Sequence, residues 1–198
     1  MRKLLKRMSP ARIIALGFAA AIFIGSGLLM LPCSVQNGVD LKYIDALYTS
    51  ASAVCVTGLV TVDIGDTFTA FGQFVVAALI QIGGLGVASM GAGVILAVGK
   101  RINLKGRRVL RDAMNLDSGK GIVKFIKSVF LTTAAFELVG AALSFIVFVR
   151  DYPPLKALGI SLFHSVAAFN NSGFDILGNF PVSYTHLRAH ETPEHLVC

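Results

Sequence analysis

Three stretches of this chain, residues 13–32, 67–99 and 128–149, contain no lysine, arginine or aspartate, and the last is interrupted only by Glu137. Each reaches or exceeds the roughly 20 apolar residues that span a hydrocarbon core about 30 Å thick. A soluble globule would need more polar surface than 15% charged residues and a mean hydropathy of +0.72 can supply. Membrane lipid is therefore the expected surrounding and first partner, and the fold class is an all-α integral membrane protein. The middle stretch is too long for one perpendicular crossing, so its first residues, through about Gly72, are expected outside the core, or the helix tilts. The first stretch also has the general form of a removable signal. Its apolar length is too great for one, and LMLPCSVQ lacks an A-x-A-like cleavage site, so it reads as a retained span.

The net charge is +7 and the pI near 9.6, values that would suit a nucleic-acid partner if the basic residues formed a patch. They flank the spans instead. Arg2, Lys3, Lys6, Arg7 and Arg12 precede the first, and Lys100, Arg101, Lys105, Arg107, Arg108 and Arg111 follow the second. Positive charge on both sides of this helix pair places both ends, the N-terminus included, in the cytoplasm. Asp40, Asp45, Asp63 and Asp66 against Lys42 alone suit an external connection. The run from 100 to 111 reads as a solvated charged segment, with no nucleic acid bound.

Between the first two spans, residues 41–69 are too short and too interrupted to cross and return as two helices. A re-entrant element fits: residues 43–54 have helical potential, Asp45 sits where the helix dipole favours a carboxylate, and Gly58 breaks the run. The order recurs after the third span, as a Pro-marked turn at 151–154, a short helix 155–169 and a loop 170–174. SASAVCVTGLV (50–60) and SVAAFNNSGFD (165–175) align without a gap, Ser50 on Ser165, Ala53 on Ala168, Thr57 on Ser172 and Gly58 on Gly173. Internal repetition in a membrane protein reports one structural unit used again around a shared pathway.

Irregular backbone at membrane depth is tolerated only where protein or water satisfies its polar groups. A pore meets that condition. Backbone carbonyls replace the hydration oxygens of a bare cation, and glycine, free to take φ > 0, lets neighbouring carbonyls turn towards a common axis. A short helix aims its negative C-terminal end at the ion. The hydroxyls of Thr57 and Ser172 and the amide of Asn171 either line the pathway or brace the loop from behind. Two turn glycines in ordinary loops are the plainer alternative.

Other features carry less chemistry. QIGGLGVASMGAGV (81–94) is no dinucleotide fingerprint, since Gly84 and Gly86 are followed by Val87, Ala88 and Ser89 with no strand before them; close packing on the neighbouring pore helix, through Gly84 and Ala88, is expected. Glu137 within a span is either functional or a brace for a neighbouring helix. His164 is expected to be a packing residue of the second short helix, with a role near the filter as the alternative. Cys33, Cys55 and Cys198 are scattered without metal spacing, and Cys55 is expected to pack at its helix end. No nucleophile–base pair or phosphate loop appears, which argues against an enzyme.

The basic arm with the first span, SASAVCVTGLVTVD, QIGGLG and FHSVAAFNNSGFD together resemble the Trk/Ktr/HKT superfamily of potassium transporters, nearest to the bacterial TrkH/KtrB membrane subunits, over about residues 12–181. The resemblance implies four tandem helix–pore-helix–helix units with re-entrant filter loops around one pore in the bacterial cytoplasmic membrane. Potassium would be the transported ion, with no covalent cofactor. It would make Val56, Thr57 and Gly58 the first filter segment and Asn171, Ser172 and Gly173 the second. It further implies a homodimer at full length and a cytoplasmic nucleotide-binding regulatory subunit. On this view residues 1–99 form the first unit, 100–121 a basic cytoplasmic linker and 122–181 an incomplete second unit. The fold is then truncated: with half a filter this chain alone is not expected to conduct, and the uncovered flank of the second loop would leave Phe174, Ile176 and Leu177 poorly packed. Residues 182–198 read as an artefactual tail, because VSYTHLRAHET is compatible with a translated sequencing adapter; the metal-ligand alternative, His186, His190 and His195, is broken by Pro193. A non-conducting membrane scaffold that uses the basic linker to hold a cytoplasmic partner is the competing function.

Overall fold

The structure, a computed structural model, describes residues 9–97, 102, 104–114 and 121–178. Arg2, Lys3, Lys6, Arg7, Lys100, Arg101, the supposed tail 182–198 with His186, His190 and His195, and Cys198 lie outside the described residues.

The described chain is helical. An isolated bridge between Val35 and Phe68 is the one extended pairing among the described residues. Helix α1 (Pro10–Leu29) opens on a proline whose fixed φ suits the first turn. The short helix α2 (Tyr43–Cys55) carries Asp45 in its first turn. A one-turn helix α3 (Ile64–Thr67) is capped by Asp63, whose carboxylate accepts from the Asp66 amide at 2.8 Å. Helix α4 (Ala70–Leu85) is capped by Thr69, and α5 (Val87–Ala97), α6 (Leu104–Ala113), α7 (Ile122–Phe148) and α8 (Pro154–Phe169) follow.

By length and composition, α1 from Ala11 and the whole of α7 can cross a bilayer. Leu131, Phe136, Leu138 and Leu143 of α7 are each more than 60% exposed. Exposure of such large apolar side chains would be costly in water and suits a membrane protein.

The middle apolar stretch departs from a single tilted span. Its helix begins at Ala70, and α4 and α5 meet at a bend of 105°. Gly86 makes the corner, at φ 80° and ψ 137°, a region closed to residues with a Cβ. The turned α5 then joins α6 and the start of α7 in a cluster built on Ala92, Ile102, Leu110, Ile122 and Ile126. Leu110 and Ile102 are buried there, so the apolar residues of the basic segment help seal a core. Arg111 pairs with its neighbour Asp112 at 2.9 Å on the surface.

The larger cluster joins α1, α2, α4 and α8 through residues such as Leu29, Val54, Val76, Ile80 and Phe163. Phe174 and Ile176 belong to it and Leu177 packs against it, contrary to the expectation of a bare flank. The segment after the second loop lies across α3, with the Ile176 carbonyl and Gly178 amide 2.6 and 2.8 Å from where a Cβ on Gly65 would stand. Glycine at 65 is what permits that approach. Cys55 also departs from expectation, being exposed at the end of α2.

Candidate functional site

The repeat is a three-dimensional one. Residues 115 apart make the same contacts in the two halves. Ser50 Oγ on α2 donates to the Ile22 carbonyl of α1 at 2.7 Å, and Ser165 Oγ on α8 donates to the Glu137 carbonyl of α7 at 2.6 Å. Beside each bond a glycine lets the helices close: a Cβ on Gly25 would stand 2.5 Å from Ser50 Oγ, and one on Gly140 at 2.5 Å from Ser165 Oγ. Each short helix is thus latched to the span before it by a hydroxyl over a glycine, a close-approach device common between membrane helices.

Both short helices end alike. The amide of Val56 donates to Ala53 and that of Thr57 to Ser52; Asn171 donates to Ala168 and Ser172 to Ala167, at 2.9–3.2 Å. These paired bonds close the helix end as a Schellman-type cap. Val56 and Asn171 both occupy the left-handed region, at φ 55° and 53°, the only non-glycine residues to do so among those described. Gly58 and Gly173 follow at φ 73° and 74°. For a β-branched Val56 that conformation is strained, whereas asparagine adopts it readily; both loops nevertheless place a left-handed residue two positions before the glycine.

All six predicted site residues, Val56, Thr57, Gly58, Asn171, Ser172 and Gly173, fall on these two loops, and the loops meet. The Ser172 carbonyl lies against Gly58, where an added Cβ would collide with it, and a Cβ on Gly173 would stand 3.5 Å from the Gly58 Cα. Thr57 Oγ1 turns back to the Ser52 carbonyl at 3.3 Å, and Ser172 Oγ to the Ala167 carbonyl at 3.2 Å. Both hydroxyls thus hydrogen-bond back to the ends of their own short helices. No group of three or more His, Cys, Asp or Glu side chains that could hold a metal ion occurs among the described residues.

The glycines of α4 let it press on both helix ends. A Cβ on Gly83 would collide with the Val54 carbonyl of α2, and one on Gly84 with the Asn170 side chain after α8. Close packing is therefore made by Gly83 and Gly84, while Ala88 lies past the bend and joins the other cluster. His164 stacks near Phe148 and Phe163, at 5.4 and 5.9 Å between ring centroids, and its Nδ1 lies 2.9 Å from the Ile160 carbonyl. Its Nε2 is buried without a partner among the described residues, as is Thr49 Oγ1 at the equivalent place in α2.

Glu137 lines a cavity of about 440 Å³ between α4, α7 and α8, with Gln73 and Gln81 and otherwise mostly apolar neighbours. Gln81 was not singled out by sequence reasoning. Its Oε1 accepts from Asn170 Nδ2 at 2.6 Å, the residue at the C-terminal end of α8. Asn170 Nδ2 also donates to the Val166 carbonyl at 2.9 Å. A polar residue inside the second apolar stretch was the available signal.

Residues 7–187 match the TrkH family, described as cation transport protein. The chain is 42% identical over 178 residues to Ktr system potassium uptake protein B of Bacillus subtilis, an alignment covering 90% of this chain and 40% of that protein. It is 37% identical over 185 residues to Ktr system potassium uptake protein D of the same organism, covering 93% and 41%. Against potassium/sodium uptake protein NtpJ of Enterococcus hirae it is 36% identical over 178 residues, covering 90% and 40%. The chain spans about two fifths of the length of these relatives. A membrane protein by composition and helix length, and matched to transporters rather than enzymes over nearly all of its residues, this chain belongs to the TrkH family of cation transport proteins.

Proposed function

We propose that this chain forms part of a potassium uptake transporter, in which the loops 56–58 and 171–173 are two segments of one ion filter. One observation carries the reading: two loops from separate helix pairs share the same pattern of left-handed residues and abut at Gly58 and Gly173. Backbone carbonyls arranged there would replace the ion's hydration oxygens, and the C-terminal ends of α2 and α8 would add negative potential. The potassium named for the relatives supports the choice of ion. The repeated latches support a first helix–pore-helix–helix unit, residues 1–99, and an incomplete second one, 122–181, joined by the linker 100–121. We place the protein in the bacterial cytoplasmic membrane with its N-terminus inside. Its partners at full length would be a second copy and a cytoplasmic nucleotide-binding regulatory subunit, the Ktr-system names being the support for a multi-component assembly.

The experiment is rubidium uptake, with and without competing sodium, by the full-length protein carrying these residues in a strain deficient in potassium transport. Gly58→Ser and Gly173→Ser should each lower the preference for rubidium over sodium. Unaltered rate and preference in both variants would overturn the filter assignment, and absence of any uptake by the unsubstituted protein would favour a non-conducting scaffold.

A further inference from the structure

The two halves match at their latches but differ at two positions beside them. Ile22 of α1 corresponds to Glu137 of α7, and Cys55 at the end of α2 to Asn170 at the end of α8, again 115 residues apart. Where the first unit has an apolar side chain and an exposed thiol, the second has a carboxyl group and an amide. A carboxyl group in a span is expensive and is kept where something uses it.

Gln81 lies between the two replacements. Its Oε1 is already occupied by Asn170, which leaves its Nε2 as a donor. Gln81 and Glu137 line the same cavity, and Glu137 Oε1 is buried with no hydrogen-bond partner among the described residues. A spare donor and an unsatisfied acceptor thus share one cavity. We propose that Asn170, Gln81 and Glu137 form a hydrogen-bonded tether that positions the second loop, 171–173, from behind, and that Glu137 is its anchor. The chain of donors runs one way, from Asn170 to Gln81 to Glu137, because a carboxylate only accepts.

The anchor is rigid. Glu137 is fixed to α8 a second time, through its own carbonyl and Ser165, and Gly84 holds α4 close against the Asn170 side chain. Asn170 immediately precedes Asn171, the left-handed residue that opens the loop. A displaced Asn170 would thus be felt at the carbonyls of Ser172 and Gly173, while the first loop, with Cys55 at that position, has no such tether. These are positioning residues; none is placed against the ion.

This inference rests on the filter reading above, and the test separates the two. The variants are Glu137→Ile and Asn170→Cys, side chains that the equivalent positions of the first unit already accept, with Glu137→Gln as the conservative partner and Gly173→Ser as the reference. Rubidium uptake and its inhibition by sodium are measured on the full-length protein, with the amount in the membrane quantified. Glu137→Ile and Asn170→Cys should each lower rubidium-over-sodium preference about 3- to 10-fold, the worth of a hydrogen bond lost from a positioned loop. The double variant should lose no more than the larger single, because both break one chain. Glu137→Gln, whose amide oxygen still accepts from Gln81, should keep the native preference. Native preference in both Glu137→Ile and Asn170→Cys, with Gly173→Ser altered, would overturn the tether and leave the filter standing. Native preference in all of them would overturn both. Should Glu137→Ile fail to reach the membrane, Asn170→Cys decides, since it changes only the end of α8.

Discussion

Gly58 and Gly173 meet unequally. A Cβ on Gly58 would run into the Ser172 carbonyl, whereas one on Gly173 would find only the Gly58 Cα, at an ordinary 3.5 Å. Both have positive φ, so any side chain costs about 1–2 kcal/mol in backbone strain at either place. At Gly58 the displaced carbonyl adds to it. Gly58→Ala should therefore depress rubidium-over-sodium preference more than Gly173→Ala, by roughly another tenfold if the collision costs ~1.4 kcal/mol. Equal effects, or a larger one at Gly173, would contradict this packing.

The hydroxyl latches make a matched pair for stability measurements. Ser50→Ala and Ser165→Ala each remove a hydroxyl-to-carbonyl bond while the carbonyl keeps its place in a helix, so each should cost about 0.5–1 kcal/mol. Gly140→Val forces α7 away from Ser165 and should cost more, about 1–3 kcal/mol. Thermal unfolding in detergent, followed by tryptophan-free probes such as cysteine accessibility, ranks the three; a Gly140→Val protein as stable as Ser165→Ala would contradict the close approach.

Glycines on either side of the bend should respond oppositely. Gly86→Ala places a Cβ at a φ of 80° and should destabilise by at least ~1 kcal/mol. Gly91→Ala, within α5 and with open space where its Cβ would stand, should be neutral or stabilise by up to ~1 kcal/mol. The sign of the difference in midpoint temperature is the readout.

Orientation can be read by labelling. With Cys33, Cys55 and Cys198 replaced, a cysteine at exposed Asp40 should react with an impermeant external thiol reagent and one at exposed Ala113 should not. The reverse pattern would place the N-terminus outside.

Much of this arrangement was legible in local sequence signals. The short helices, expected at 43–54 and 155–169, are Tyr43–Cys55 and Pro154–Phe169. A glycine follows the first at 58, and prolines open the second with a glycine after it at 173; their effects act within a few bonds of themselves. Those signals fail at Gly86. A glycine run suits a close helix contact and a break equally well, and the choice was settled by what α5 could bury with Ile102 and Leu110. The loop residues were found because they repeat. What stayed hidden is contact across long separations: the Asn170–Gln81 bond joins residues 89 apart, and nothing near either announces the other. Phe174 and Ile176 were misread for the same reason, since their cover, α3, lies about a hundred residues earlier in the chain.

The bend at Gly86 also divides the protein's resistance to unfolding. With α5 swung through 105°, the residues after it bury themselves around Ala92, Ile102, Leu110, Ile122 and Ile126, apart from the larger core at the loops. Two cores of unequal size are two cooperative units of unequal strength, and the smaller should open first. Backbone amides of α5 and α6 should then exchange with deuterium sooner than those of α2 and α4, so that thermal motion in the linker region is spent without disturbing the geometry at Gly58 and Gly173.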